Sequence, residues 1–152
     1  MTEKTLTMSP GSETSLVTLR RILSFAAVVE VGTGLVLLID PVIVVTLLLG
    51  AEVSGAGIPL GRCFGIALLA LGVACWPSRQ HPNRGSRAFR AMLIYNVLIA
   101  LYLAYLGTVG HLRGVLLWPA VTLHAVVALL LLQMWRARVT DQSDQQASVA
   151  WQ

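Results

Sequence analysis

The sequence has few charged residues for its length. Charged residues make up 12% of the 152 residues, whereas hydrophobic residues make up 56%. A soluble domain is about 25% charged, because polar side chains must cover its surface. Lipid must therefore be the solvent for much of this surface, and the length allows a single domain.

Cysteine and the common catalytic motifs are also scarce. The two cysteines, Cys63 and Cys75, fall on one predicted helix roughly 18 Å apart, so they cannot form a disulfide with each other. The chain has no His-Glu-x-x-His, no phosphate-binding glycine loop with lysine and no Gly-x-Ser-x-Gly. These absences exclude an enzyme of the soluble type, and we assign no catalytic residue.

Histidine is too sparse for a haem or metal site within the membrane. His124 lies within a predicted span, whereas His81 and His111 lie in loops. A bis-histidine haem needs two histidines at matching depth, and His124 with Glu30 supplies at most two metal ligands. We therefore predict no metal and no cofactor of its own. A quinone, or a cofactor shared with a partner subunit, stays open.

What the sequence does contain is four apolar runs long enough to cross a bilayer, which takes about 17–25 helical residues. They cover residues 22–39, 59–76, 91–108 and 114–135. The first run is not a signal peptide, because it lacks a small-x-small cleavage site and follows a polar leader. We predict an all-α, four-helix transmembrane bundle over residues 19–137. The leader, 1–18, and the tail, 138–152, lack the apolar content to fold alone and are expected to be disordered.

The segment after the first run, residues 41–57, is apolar at first but too short to span again. Pro41 ends the first helix, and the glycines near residue 57 end the short element that follows Pro41. An open strand edge cannot sit in lipid, which makes a helix the better prediction. We expect a short outer-leaflet helix or a re-entrant lid over the bundle.

Lysine and arginine predict the orientation. Nine lie on the side of the two termini and the central loop: Lys4, Arg20, Arg21, Arg79, Arg84, Arg87, Arg90, Arg136 and Arg138. The opposite side has Arg62 and Arg113. Basic residues stay in the cytoplasm, so both termini should be cytoplasmic, in a bacterial inner membrane. We expect the lipid bilayer as a partner and no nucleic acid. Arg79, Arg84, Arg87 and Arg90 are candidates for contact with anionic lipid headgroups.

Each predicted span contains one polar residue that lipid would not solvate: Glu30, Arg62, Asn96 or His124. Such residues normally point into the bundle, which makes them candidates for binding or proton handling. Small residues flank Glu30 and His124 at helical spacing, and Gly61, Gly65 and Gly72 form a stripe within the second span, so helices can approach closely there.

Depth can be estimated from the helical rise of about 1.5 Å per residue. This count predicts that Glu30 and His124 meet near the midplane, with Asn96 slightly below them. Glu30 is then either neutral or paired with His124 or Arg62. Arg62 lies near the outer end of its helix and either extends outward or reaches down toward the acid.

Three features together resemble the DoxX-like group of small bacterial four-helix membrane proteins. They are LRRIL at the start of the first span, a glycine-bearing first span that ends in IDP, and GRCFGIALLALG in the second. The resemblance implies a small membrane subunit of a quinone-linked oxidoreductase. The chain lacks the lysine associated with the end of the group's first helix, since GLVLLIDP has none, and we carry over no functional residue.

Two functions follow as hypotheses. The first is a non-catalytic subunit or assembly factor of a larger bacterial inner-membrane complex, of which an oxidoreductase is one candidate, or a homo-oligomer. The second is a stand-alone transporter or intramembrane enzyme that handles protons or a small apolar molecule such as a quinone through Glu30, Asn96 and His124. A lipid-sensing role for the loop arginines is a third candidate.

Overall fold

The computed structural model describes residues 10–77 and 82–150, which form five α-helices and no strand. The helices are α1 (Pro10–Ile39), α2 (Pro41–Leu49), α3 (Gly57–Ala74), α4 (Pro82–Thr108) and α5 (Leu117–Ala150). Four of them contain stretches long and apolar enough to cross a membrane: Val17–Ile39, Gly57–Ala74, Arg87–Thr108 and Leu117–Ala137. The predicted all-α, four-span membrane fold is confirmed.

The short helix α2 confirms that the segment after the first span is helical. Asp40 breaks α1 and caps α2, because its Oδ1 accepts hydrogen bonds from the backbone N–H of Val42 at 3.0 Å and of Ile43 at 3.4 Å. Pro41 follows at the first helical position, where a missing N–H costs nothing. Gly50 ends the helix with a left-handed φ of 66°, which favours glycine.

The helices extend further than the predicted spans at both ends of the chain. α1 begins at Pro10, within the leader that we expected to be disordered, and α5 continues to Ala150, within the tail. Low apolar content argues against a segment that folds alone. Extending an existing helix is far easier, because each added residue avoids the cost of nucleation. Residues 1–9 and 151–152 of these segments lie outside the described residues.

The first and third helices pack with their backbones in close contact, as the predicted small-residue faces require. A Cβ added at Gly34 would lie 2.8 Å from the carbonyl oxygen of Gly65, and one at Gly65 would lie 2.7 Å from that of Gly34. Further along the same face, a Cβ at Gly72 would lie 2.6 Å from Val31 Cγ2. Glycine is therefore needed where α1 crosses α3.

The apolar core fills one half of the bundle, which we call the Leu19 end. Its largest members come from the start of α1, the start of α4 and the spanning part of α5: Leu19, Leu23, Phe89, Met92 and Leu131. Cys75, just after α3, closes this cluster. The opposite half, which we call the α2 end, is packed differently, and it is the half that holds the candidate site.

At the α2 end, α2 is fixed to the turn between α4 and α5. The backbone N–H of Leu116 donates to the carbonyl oxygen of Leu47 at 2.8 Å. Gly114 lies so close to Leu48 that an added Cβ would overlap the Leu48 carbonyl group. This contact holds α2 across the ends of the helices that follow it.

Candidate functional site: an intramembrane cavity

The structure brings three of the four predicted polar residues together. Glu30 on α1 and Asn96 on α4 are buried, with 2% and 1% of their surface exposed. His124 on α5 lies between them: its Nδ1 is 2.9 Å from Asn96 Oδ1 and 4.0 Å from Glu30 Oε1. These distances agree with the meeting of Glu30 and His124 that the depth count predicted.

Tyr95 is a fourth member of this cluster that the sequence reasoning missed. Its hydroxyl donates to Glu30 Oε2 at 2.9 Å, and its ring meets the His124 ring edge-on, with centroids 5.8 Å apart. A signal for it was present, because Tyr95 lies well inside a span, whereas tyrosine is usually enriched at the membrane interfaces. A tyrosine at mid-span needs a hydrogen-bond partner for its hydroxyl.

The hydrogen bonds fix which way the Asn96 amide and the His124 ring are oriented. Asn96 Nδ2 donates to the carbonyl oxygen of Met92 at 2.8 Å, one turn earlier on α4, so the amide oxygen faces His124. An amide oxygen only accepts hydrogen bonds. The Nδ1 of His124 must therefore carry a hydrogen and donate it to Asn96.

Above this cluster, toward α2, lies a cavity of about 640 Å³. Cavities that bind small molecules in proteins are about 300–1,000 Å³ and mostly apolar, with a few polar groups that orient the ligand. This cavity has that character. Its apolar walls include Val36 and Leu37 of α1, residues 43–45 and 47–49 of α2, Phe64 and Leu68 of α3, Ile99, Leu103 and Leu106 of α4, Leu116 just before α5, and Leu123 of α5.

The cavity is polar at one end. Glu30, Tyr95 and His124 all line it, and Thr33 and Tyr102 add hydroxyl groups to the wall. Several apolar lining residues, among them Val36 and Ile43, are also exposed on the surface of the chain. The cavity is therefore open to the apolar phase around the helices, with its ionisable groups at the deep end.

The helix α2 supplies part of the cavity wall through residues 43–45 and 47–49. The sequence predicted a helix here but gave no reason to expect a cavity beneath it. The contact of α2 with the turn between α4 and α5 leaves it lying over the space between the spans.

Arg62 and the basic loop residues do not join the cluster. Arg62 is exposed near the start of α3, and within the residues that the structure describes, no ion pair or hydrogen bond links it to Glu30. Arg87 and Arg90 are exposed near the start of α4. Arg79, and the side chain of Arg84, lie outside the described residues.

The cluster does not have the composition of a metal site. Among the described residues, no three His, Cys, Asp or Glu side chains are grouped so that they can hold a metal ion. Cys63 is exposed and Cys75 is buried, and both are free. The chemistry available at the site is hydrogen bonding and proton transfer among a carboxyl, a phenol and an imidazole.

Comparison with known proteins identified no relative of this chain. No protein-family model matches the chain, and no curated protein and no solved structure matches it. The fold defines a small multi-pass membrane protein, and its function has to be argued from the cavity and the surfaces of the helices.

Proposed function

We propose that this protein binds a small apolar molecule with a polar end, such as a quinone, in a cavity within the membrane. The observation that carries the proposal is the position of Glu30, Tyr95 and His124 at the deep end of an otherwise apolar cavity. An intramembrane carboxyl is costly unless it is paired or has a function. If these residues only held the helices together, they could be enclosed by protein on all sides. Instead, they line a cavity.

The cavity also suits a ligand that arrives from the bilayer. Its exposed lining residues are apolar, so a hydrophobic molecule enters without crossing a polar barrier. The ligand's polar end then finds hydrogen-bond partners that lipid does not offer. The arrangement supports binding, and transport or proton transfer would be further uses of the same site.

The test is whether a small molecule accompanies the purified protein. The wild-type chain and two variants would be purified in a mild detergent and extracted with organic solvent, and the extracts compared by mass spectrometry. Leu106→Trp fills the cavity, because Leu106 lines it, whereas Leu98→Trp makes the same change at an exposed position of α4 outside the cavity. We expect a stoichiometric apolar compound with the wild type and Leu98→Trp, and its loss with Leu106→Trp. Extracts that do not differ would contradict a ligand in this cavity.

A second candidate function, a subunit or assembly factor of a larger membrane complex, is favoured by the outer face of α3. Cys63, Ala67, Ala70 and Ala74 follow one another at helical spacing, and all are exposed. This face is separate from the glycines that pack against α1. Small residues in a row allow a second transmembrane helix to approach closely, so the face is suited to another subunit or a second copy of the chain.

Ala70→Leu tests this candidate. A leucine there would hold a partner helix away, whereas Ala91→Leu makes the same change at an exposed position of α4. Native gels of membranes solubilised in mild detergent should show a partner or oligomer with the wild type and Ala91→Leu that Ala70→Leu loses. Migration of all three as a single copy of the chain would remove the subunit hypothesis.

We place the protein in a bacterial inner membrane with both termini in the cytoplasm. The excess of lysine and arginine on the side of the termini supports this orientation. The resemblance to DoxX-like proteins supports the bacterial setting and a link to quinones and oxidoreductases. Arg87 and Arg90 are exposed where they would contact lipid headgroups on that side.

A further inference from the structure

We propose that the molecule held in the cavity carries a hydroxyl group, as a phenol, a quinol or an alcohol does, and that this hydroxyl donates a hydrogen bond to His124 Nε2 and accepts one from Glu30. The inference rests on the proposed function, since it concerns the polar end of the ligand bound there. It goes further by specifying the hydrogen-bonding chemistry of that end.

Two polar atoms of the cluster have no hydrogen-bond partner among the described residues. His124 Nε2 and Glu30 Oε1 make no hydrogen bond to any described residue, since Nδ1 serves Asn96 and Oε2 serves Tyr95. In the described part of the chain, no side-chain nitrogen or oxygen that is sealed from solvent lacks a hydrogen-bond partner. These two atoms therefore keep accessible surface. Both residues line the cavity, and both also line a much smaller space of about 10 Å³ beside Asn96. The smaller space has no room for a ligand, and so we place the two free atoms at the larger cavity.

The position of the protons follows from the geometry. A carboxylate and an imidazolium in contact form a short hydrogen bond of about 2.7–2.9 Å. The 4.0 Å between Glu30 Oε1 and His124 Nδ1 is longer, and the Nδ1 hydrogen is directed to Asn96 instead. Separated charges in apolar surroundings are costly. The pair is therefore best described as a carboxylic acid and a neutral imidazole.

In that state the two free atoms have opposite roles. The Nδ1 of His124 carries the ring hydrogen, so Nε2 is a hydrogen-bond acceptor. Oε2 of Glu30 accepts from Tyr95, so the acid proton resides on Oε1, which is a donor. The cavity thus offers one acceptor and one donor, from two residues whose side chains approach to 4.0 Å.

A hydroxyl group is the smallest group that matches both atoms, because it donates one hydrogen bond and accepts others. A ketone, an ether or an oxidised quinone only accepts, and would leave His124 Nε2 unpaired and desolvated. A site built to bond a hydroxyl rejects an analogue that lacks it much more strongly than a hydrophobic pocket rejects a missing methylene. The site should therefore prefer the hydroxylated form of an apolar ligand.

The test uses two probes of nearly equal shape, 4-nonylphenol and its methyl ether, 4-nonylanisole. Each would be added to the purified full-length protein in lipid nanodiscs, and affinity obtained from the concentration dependence of the thermal unfolding midpoint, followed by circular dichroism. We expect the phenol to bind about ten-fold more tightly than the ether, or better.

His124→Asn is the variant that isolates the acceptor. An asparagine amide can still donate to Asn96 from near the position of Nδ1, but it has no atom at the position of Nε2. The variant should bind both probes with similar affinity, close to that of the ether on the wild type. Leu98→Trp, away from the cavity, should keep the wild-type preference.

Each other outcome has a distinct meaning. Equal binding of the two probes by the wild type, or tighter binding of the ether, overturns the hydroxyl inference while leaving a cavity that binds apolar molecules. A preference for the phenol that His124→Asn retains also overturns it, because His124 would not be the acceptor. If neither probe stabilises the wild type, the proposed function fails, and the inference fails with it.

Discussion

The Tyr95 hydroxyl and the Glu30 carboxyl, 65 positions apart in the sequence, are joined by a hydrogen bond of 2.9 Å that links α4 to α1 across the interior of the bundle. The bond occupies one oxygen of the acid and leaves the other at the cavity. Tyr95 thereby links two helices and also determines which oxygen of Glu30 would be left to meet a ligand of the proposed kind.

Tyr95→Phe should lower the stability of the protein without changing its fold. The variant keeps the ring and its edge-on contact with His124 but leaves Glu30 Oε2 without a donor. Hydrogen bonds between membrane helices contribute about 0.5–2 kcal/mol, and we expect a loss in that range in the free energy of unfolding. Tyr105→Phe is the control, because Tyr105 is exposed on the same helix. Equal unfolding midpoints for the two variants, measured by circular dichroism, would mean that the bond contributes nothing.

Substitutions of Glu30 should separate its hydrogen-bonding role from its acidity. In Glu30→Gln the amide oxygen still accepts from Tyr95, and the amide N–H replaces the acid proton at the cavity. This variant should keep the wild-type unfolding midpoint and its preference for 4-nonylphenol. Glu30→Leu removes the acceptor and the donor together, and should lose about 0.5–2 kcal/mol of stability. It should weaken the binding of both probes, because a phenol and an ether oxygen both accept from Glu30, and should keep the preference for the phenol, which depends on His124 Nε2.

If a proton-dependent activity is found, the same pair of variants extends to it. A proton-transfer role for Glu30 requires that Glu30→Gln be folded and inactive, because a side-chain amide neither releases nor takes up a proton near neutral pH. Full activity of Glu30→Gln together with a lower unfolding midpoint would limit Glu30 to a packing role.

Much of the fold was predictable because lipid restricts what a chain can form. In a bilayer a helix satisfies its backbone hydrogen bonds within a single segment, so four apolar runs of about 18 residues or more predict four helices. Small residues beside Glu30 and in α3 then indicated which faces pack, and Gly34 and Gly65 do meet. Counting the helical rise placed Glu30 and His124 at one depth, and they lie 4.0 Å apart.

The cavity was not predictable, because it depends on how the helices are placed relative to one another. Helical spacing gives the direction of a side chain but not the gap between two helices. In this structure α2, held by its contact with Leu116, forms one wall of the gap. Arg62 is a second example. Its depth in the helix was compatible with a side chain that points inward or outward, and the structure shows it exposed.

Gly65→Ala should be strongly destabilising, because its new methyl group would lie 2.7 Å from the carbonyl oxygen of Gly34. Backbone atoms cannot move aside as a side chain does, so α1 and α3 would have to separate, at a cost of about 1–3 kcal/mol. Gly32→Ala is the matched control, since an added Cβ there has no atom within 4 Å. Alanine also has a higher helix propensity than glycine, so Gly32→Ala should be neutral or stabilising. Similar unfolding midpoints for the two variants would contradict the close helix crossing.

The orientation can be measured with single added cysteines in a chain that also carries Cys63→Ala, which leaves the buried Cys75 as the one native cysteine. Ser54→Cys lies in the loop between α2 and α3, and Ser148→Cys lies near the end of the tail. A membrane-impermeant maleimide applied to intact spheroplasts should label residue 54 and reach residue 148 only after the membrane is opened. The reverse pattern would place the termini outside and would overturn the orientation inferred from the arginines.

Asp40 gives a test of α2 as the cover of the cavity. Asp40→Ala removes the side chain that caps α2, a change that costs about 1 kcal/mol at a helix N-terminus. A less stable α2 would cover the cavity for a smaller fraction of the time, so bound 4-nonylphenol should dissociate faster, as measured by competition with a labelled probe. Asp40→Asn is the control, because asparagine caps helices as well as aspartate. If Asp40→Ala lowers the unfolding midpoint but leaves the dissociation rate of the phenol unchanged, then α2 does not control access, and the ligand enters between the spans.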